Sequence, residues 1–227
     1  MTHTRRLLAA LAALALSVPS AARAQGCVGA AVPDRHYAFQ LETGFANYDV
    51  GPAVDGKGLG ASFRGNPGGP LAFSAEYMLN AVGEADARLH TGGVNVAFRP
   101  PLAIPLLAVC ARAGATGALF SDGPSGSELT NWTFPLGVVL ELPLPMANGN
   151  ALVPYVAPQY LISSTSGEVF GFDLSESGNG FGFEGGVGLR LRRAVVTFGG
   201  TFSDLPEELV TTAFPRRSLF VRAGVLF

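Results

Sequence analysis

Charge is scarce in this sequence, and lysine is almost missing. Charged side chains are 14% of the residues, against about a quarter in an ordinary soluble domain. Lys57 is the one lysine. With 15 basic and 17 acidic residues there is no polybasic face, which excludes nucleic acid as a partner. Disorder is excluded too, because 48% of the chain is apolar and the net charge is only −2. Cysteine occurs twice and histidine three times, and no His/Cys cluster has metal-ligand spacing, so no metal and no cofactor are expected.

Long hydrophobic runs are also wanting. The apolar stretch Leu7 to Val18 follows Arg5 and Arg6 and precedes Ala22-Arg23-Ala24, a small-residue cleavage pattern. A membrane-crossing helix needs roughly 20 apolar residues, and this stretch falls short. Residues 1–24 are therefore expected to be a cleaved signal peptide. Cys27 lacks a lipobox, since Ala24 stands where leucine is usual. Beyond the signal no segment offers 18 uninterrupted apolar residues, which excludes a helical membrane protein.

What is abundant is glycine, 30 residues, and phenylalanine, 16, set in a period of two. Tyr37, Phe39, Leu41, Thr43 and Phe45 alternate with small or polar residues. So do Trp132, Phe134, Leu136, Val138 and Leu140, and again Phe181, Phe183, Val187, Leu189 and Leu191. Ten such segments are expected at 34–48, 58–64, 71–80, 87–99, 105–119, 130–142, 151–163, 179–191, 194–203 and 217–227. Gly92-Gly93 suggests a bulge in the fourth. The connectors read as alternately long and polar (49–57, 81–86, 120–129, 164–178, 204–216) and tight, the pattern of an up-and-down barrel in an outer membrane. The tight turn at Arg192-Arg193 lacks the glycine such a turn prefers.

A soluble sandwich also alternates, so charge placement decides which face meets lipid. Asp49, Asp55, Glu84, Asp86, Asp122, Glu128, Glu168, Asp173, Glu176, Asp204, Glu207 and Glu208 fall in or beside the long connectors. The strand interiors carry Glu42, Arg64, Glu76, Arg112, Glu141, Glu184, Arg190 and Arg222, each on the face opposite the large hydrophobic residues. Four acids matched by four arginines suit a narrow lumen, where a lone charge is poorly solvated and the guanidinium fork pairs well with carboxylate. Aromatics gather near both strand ends: Tyr48, Tyr77, Trp132 and Phe202 at one, Tyr37, Phe63, Phe98 and Phe227 at the other.

The last segment, with Leu219, Val221, Ala223, Val225 and the aromatic Phe227, looks like the terminal-strand signal that delivers outer-membrane barrels to their assembly machinery. Taken with the signal peptide and the strand count, the chain resembles the small OmpA/OmpX-type outer-membrane β-barrel proteins over nearly its whole length. The resemblance implies an all-β fold, a closed up-and-down antiparallel transmembrane β-barrel. The segments counted here give about ten strands, with the eight common in that group as the alternative. The expected organisation is a signal peptide at 1–24, an N-terminal periplasmic segment at 25–33 and the barrel at 34–227. The place is the outer membrane of a diderm bacterium, and the partners are its lipid and, during biogenesis, the assembly machinery. A monomer is expected.

Chemistry is thinly represented. His90, four residues after Asp86, offers a conceivable surface His/Asp pair, whereas His36 belongs to the opposite rim. Gly180-Phe181-Gly182-Phe183-Glu184-Gly185 spells a dinucleotide fingerprint but lies inside a strand pattern, where its glycines read as small inward residues. No catalytic constellation emerges, and an enzyme is not expected. Cys110 shares the lumenal parity of Arg112 and lies near the rim where Cys27 enters. A bridge there would tether residues 25–33 in the barrel mouth and contribute roughly 2 to 4 kcal/mol; two unpaired thiols is the other reading. The sequence thus points to a structural or surface-interaction protein with a charge-paired, largely filled lumen. The alternatives are a narrow passive pore and, less favoured, an outer-membrane enzyme.

Overall fold

A computed structural model of the protein describes residues 27, 32, 36–48, 54–82, 87–101, 107–122, 127–169, 171–205 and 216–227. The expected signal peptide, most of residues 25–33, and Asp86 lie outside these. Ten long strands account for most of the described chain: β1 (His36–Tyr48), β2 (Val54–Asn66), β3 (Leu71–Val82), β4 (Ala87–Phe98), β5 (Ala108–Asp122), β6 (Ser127–Glu141), β8 (Ala151–Val169), β9 (Phe172–Leu191), β10 (Ala194–Ser203) and β11 (Arg217–Leu226). The two-residue β7 (Leu144–Pro145) pairs with β8 inside the β6–β8 connection. All neighbours are antiparallel, β1 pairs with β11, and β6 pairs with β8, so the sheet closes on itself.

The registers set the shape. From Gln40, cross-strand partners run through Ser62, Glu76, Gly93, Thr116 and Thr133 to Ser163 on β8. In the other direction they run through Gly224, Val195 and Arg190 to Ala151 on the same strand. The two routes meet twelve residues apart, from Ala151 to Ser163. Twelve residues at about 3.3 Å against ten strands at about 4.8 Å give a strand tilt of about 40°. Each residue then rises about 2.5 Å along the barrel axis, and an apolar band of about 25 Å takes about ten residues. On β6 the outward residues from Trp132 through Phe134, Leu136 and Val138 to Leu142 beyond its end cover that span.

The alternation therefore points outward with its bulky side. Leu219 is 70% exposed and Phe134 44%, while Gln40 and Thr133 on the other face are fully buried and Glu184 and Arg222 nearly so. Glycine makes the inward face narrow enough to close. A Cβ on Gly199 would stand 2.6 Å from the Phe220 ring, one on Gly137 2.8 Å from Gln159, and one on Gly186 3.0 Å from Tyr155. Each of these glycines yields room to a large inward side chain on the neighbouring strand.

Two expectations need correction, and one unusual turn finds its cause. Several strands run longer than the periodicity indicates, because polar residues beyond the apolar band still pair. β2 spans 13 residues, and the supposed long connector at 164–178 is mostly strand, with β8 and β9 paired out to Val169 and Phe172. The alternation of long and short connectors is correspondingly weak. The bulge at Gly92-Gly93 does not occur: β4 keeps one register with β3 and with β5, and Leu89 simply faces inward near the rim distant from the start of β1 and the end of β11. The glycine-free turn at Arg192-Arg193 is made by Arg192 itself, at φ 50°, with its N–H donated to Asn150 Oδ1 at 3.2 Å.

Candidate functional site

The barrel interior is layered. Towards the rim where β1 begins and β11 ends, the inward residues are small and apolar, among them Ala38, Ala72, Ala97, Ala108, Ala151 and Val195. Cys27 and Val32, from the segment ahead of β1, are buried in this layer. Cys27 is disulfide-bonded to Cys110 of β5, with their Cα atoms 5.8 Å apart. The small residues leave the space that Cys27 and Val32 occupy.

Above that layer lies a group of charges. Arg222 of β11 donates from Nε to Glu42 Oε2 on β1 at 2.6 Å and from Nη1 to Glu184 Oε1 on β9 at 3.4 Å. Arg112 of β5 donates from Nη1 to the other oxygen of Glu184 at 2.8 Å and from Nε to Asn95 Oδ1 at 3.1 Å. Glu76 of β3 stands 3.8 Å from Arg222 and 3.9 Å from Arg64 of β2. β5 and β9 are not neighbours in the sheet, so the Arg112–Glu184 pair crosses the lumen. Glu42 and Arg222 are direct cross-strand partners at the seam of the first and last strands, 180 residues apart in the chain.

Six of the eight strand charges thus converge. Glu141 is fully buried next to Ala108, in the apolar layer, and Arg190 lies half-buried beside Ala151 and Val195. Among the described residues no ion pair links Arg190 to the central group. Both sit nearer the terminal rim than their parity alone reveals, because strand tilt displaces residues of equal parity along the axis.

Sequence reasoning missed three members. Tyr155 of β8 donates its hydroxyl to Glu184 Oε1 at 3.2 Å. The Phe220 ring lies under the Arg222 guanidinium, 3.8 Å from Cζ to the ring centroid, a cation–π contact. Asn95 braces Arg112. Their inward parity was visible, but an uncharged residue on that face carries no signal of its own.

Beyond the charges is a cavity of about 120 Å³, enough for several waters. Its floor includes Glu42, Glu76, Arg112, Glu184 and Arg222, and Asn80, Thr91 and Thr116 are among its walls. Beside it Asn131 donates to Ser163 and Thr165, at 2.9 and 2.7 Å. On the outer surface His90 is bonded through Nδ1 to the Tyr77 hydroxyl at 2.7 Å, a pair of polar tips at the edge of the apolar band. His36 lies at the terminal rim. Near it Tyr37, Phe63, Phe73 and Phe227 form an aromatic cluster with centroids 5.9 to 6.4 Å apart. Among the described residues no group of His, Cys, Asp and Glu is arranged to hold a metal.

A closed antiparallel barrel with hydrocarbon outside and paired charges within defines a transmembrane β-barrel protein. The comparisons give its family. Residues 8–200 match the model described as outer membrane protein beta-barrel domain, and the chain belongs to that family. The family places it in the outer membrane. The solved beta domain of the Bordetella autotransporter BrkA is similar in fold, with 10% identity, TM-score 0.51, and coverage of 83% of this chain and 98% of that one. Ail, the attachment invasion locus protein of Yersinia pestis, matches at 10% identity with TM-score 0.40, covering 86% of this chain and 99% of that one. Neisserial surface protein A matches at 12% with TM-score 0.39, covering 84% and 95%. No curated protein matches the chain.

Proposed function

We propose that the protein is a monomeric outer-membrane barrel, closed to solutes, that serves a structural or surface-interaction role at the rim away from its termini. In this reading residues 1–24 direct export and are removed, and the terminal rim faces the periplasm. One observation carries the closed lumen: the ion-pair chain Glu42–Arg222–Glu184–Arg112 runs from the seam strands across to β5. Opening a path through it separates buried opposite charges, which is costly in a low-dielectric interior. Cys27 and Val32 add to the packing of the apolar layer below it, with Cys27 held by the disulfide.

The test is conductance in a planar lipid bilayer. The expected result is silence from the intact protein and openings once the chain is cut, as in Arg112→Ser with Glu184→Ser. Steady channels from the intact protein would instead support the narrow pore, the reading favoured by the cavity above the charges. Catalysis has less to stand on, because the strongest candidate, His90, is turned outward and bonded to Tyr77. Pure protein is expected to leave lipid A and peptide substrates unchanged.

A further inference from the structure

Among the described residues the β8–β9 hairpin runs well past the end of β10, and its edge on that side is unpaired. β9 pairs with β8 from Leu191's end of the barrel out to Phe172, but its ladder with β10 stops at Gly182, opposite Ser203. The stop has a local cause. Asp204 N–H donates to the Phe181 carbonyl at 3.0 Å, and its carboxylate accepts the Phe181 N–H in place of a further backbone group. Leu205 then turns inward to bury against Leu161, passing over Gly180, where a Cβ would meet it at 3.2 Å.

Phe181 therefore shows which way the backbone faces. In an antiparallel strand alternate residues direct both N–H and C=O to the same side, so Asn179, Ser177, Ser175 and Asp173 present theirs to the side that β10 has left. All four residues are exposed. Their backbone groups are unpaired among the described residues. An open edge of this length is a template for another strand.

Charge indicates the kind of strand. Glu128, Glu168 and Asp173 stand side by side on β6, β8 and β9, all exposed on the outer face. Like charges directly opposite one another are unfavourable, and among the described residues no ion pair reaches these three. A strand added at the β9 edge would place its own residue next to Asp173, at the end of this row. Lysine or arginine there completes the row with the opposite sign. A second copy of the hairpin would add more carboxylate.

We propose that the exposed edge of β9, Asp173 to Asn179, captures an extended cationic polypeptide segment by strand addition. This deepens the surface-interaction reading and rests on it. The probe is a synthetic nine-residue peptide alternating lysine with threonine, titrated into the refolded full-length barrel and followed by amide hydrogen exchange and by fluorescence anisotropy. Expected are slowed exchange at Ser175 and Ser177 and binding that is lost when glutamate replaces lysine. Methylating the peptide's alternate backbone nitrogens keeps its charge and removes its donors, and should weaken binding at least about tenfold. Ser177→Pro does the same from the barrel side, because that N–H points away from β8 and the β8–β9 ladder is kept.

Equal affinity for the methylated peptide, or unchanged exchange at Ser175 and Ser177, overturns the proposal, leaving charge attraction alone or no binding. Self-association abolished by Ser177→Pro overturns it in favour of a dimer. If Ser177→Pro fails to fold, the methylated peptide on the unaltered barrel still decides. Failure of the closed-lumen reading is seen separately: a conducting barrel that still captures the peptide removes that reading and leaves the edge standing.

Discussion

Arg222 is where the barrel's closure can be put to a quantitative test. It sits in the last strand opposite Glu42 in the first, contacts Glu184 and Glu76 as well, and stacks on Phe220. Arg222→Met removes the only cation bonded to Glu42 among the described residues and leaves that carboxylate enclosed, whereas Glu184 keeps Arg112. Stranding one member of a buried pair costs about 3 to 5 kcal/mol, a large share of the roughly 5 to 15 kcal/mol that holds a fold of this size. Arg222→Met with Glu42→Gln leaves no stranded charge and should recover at least about 2 kcal/mol of that loss. Arg222→Lys keeps the charge but loses the planar fork and the stacking, for an intermediate cost of about 1 to 2 kcal/mol. The assay is urea unfolding from lipid vesicles, read by the single tryptophan, Trp132, with unboiled gel migration as the check on folding. A single-variant cost below about 1 kcal/mol, or a double variant no better than Arg222→Met, would refute the claim that this pair fastens the seam.

Further outcomes follow from the same geometry. Cys110→Ser opens a loop of 83 residues and should cost about 4.5 kcal/mol by chain entropy, seen as a lower urea midpoint matched by the reduced native protein. Gly199→Val drives a side chain into the Phe220 ring and should destabilise by about 1 to 3 kcal/mol; Gly92→Val, whose Cβ meets nothing closer than 3.8 Å, should be tolerated in the same titration. Leu41→Arg, on the lipid face near the middle of β1, should cost about 2 to 4 kcal/mol and reduce the yield of heat-modifiable barrel.

Much of the barrel is legible in the chain because a strand's side chains alternate with a period of two, and a bilayer-facing surface admits few polar residues. Phe39, Leu41 and Phe45 against Gln40 and Glu42 are enough to assign the two faces of β1. The same logic picks out the inward charges, and the shared rim makes the Cys27–Cys110 bond intelligible. Strand ends are harder. Ser164 to Ser177 has no apolar periodicity, yet it pairs, because backbone hydrogen bonds continue past the membrane without needing a hydrophobic face.

The sequence by itself determined the faces: which residues meet hydrocarbon, which turn inward, and that the inward charges balance in sign. Only the tertiary structure decided the partners. A stagger of twelve residues around the barrel lifts Arg112 level with Glu184 and leaves Glu141 and Arg190 nearer the terminal rim, a displacement that no single strand's pattern contains. It also decided where pairing stops, since Asp204 can end a ladder only when the fold brings it to the Phe181 amide. Parity is a local property of each strand, whereas height along the axis is a property of the closed sheet.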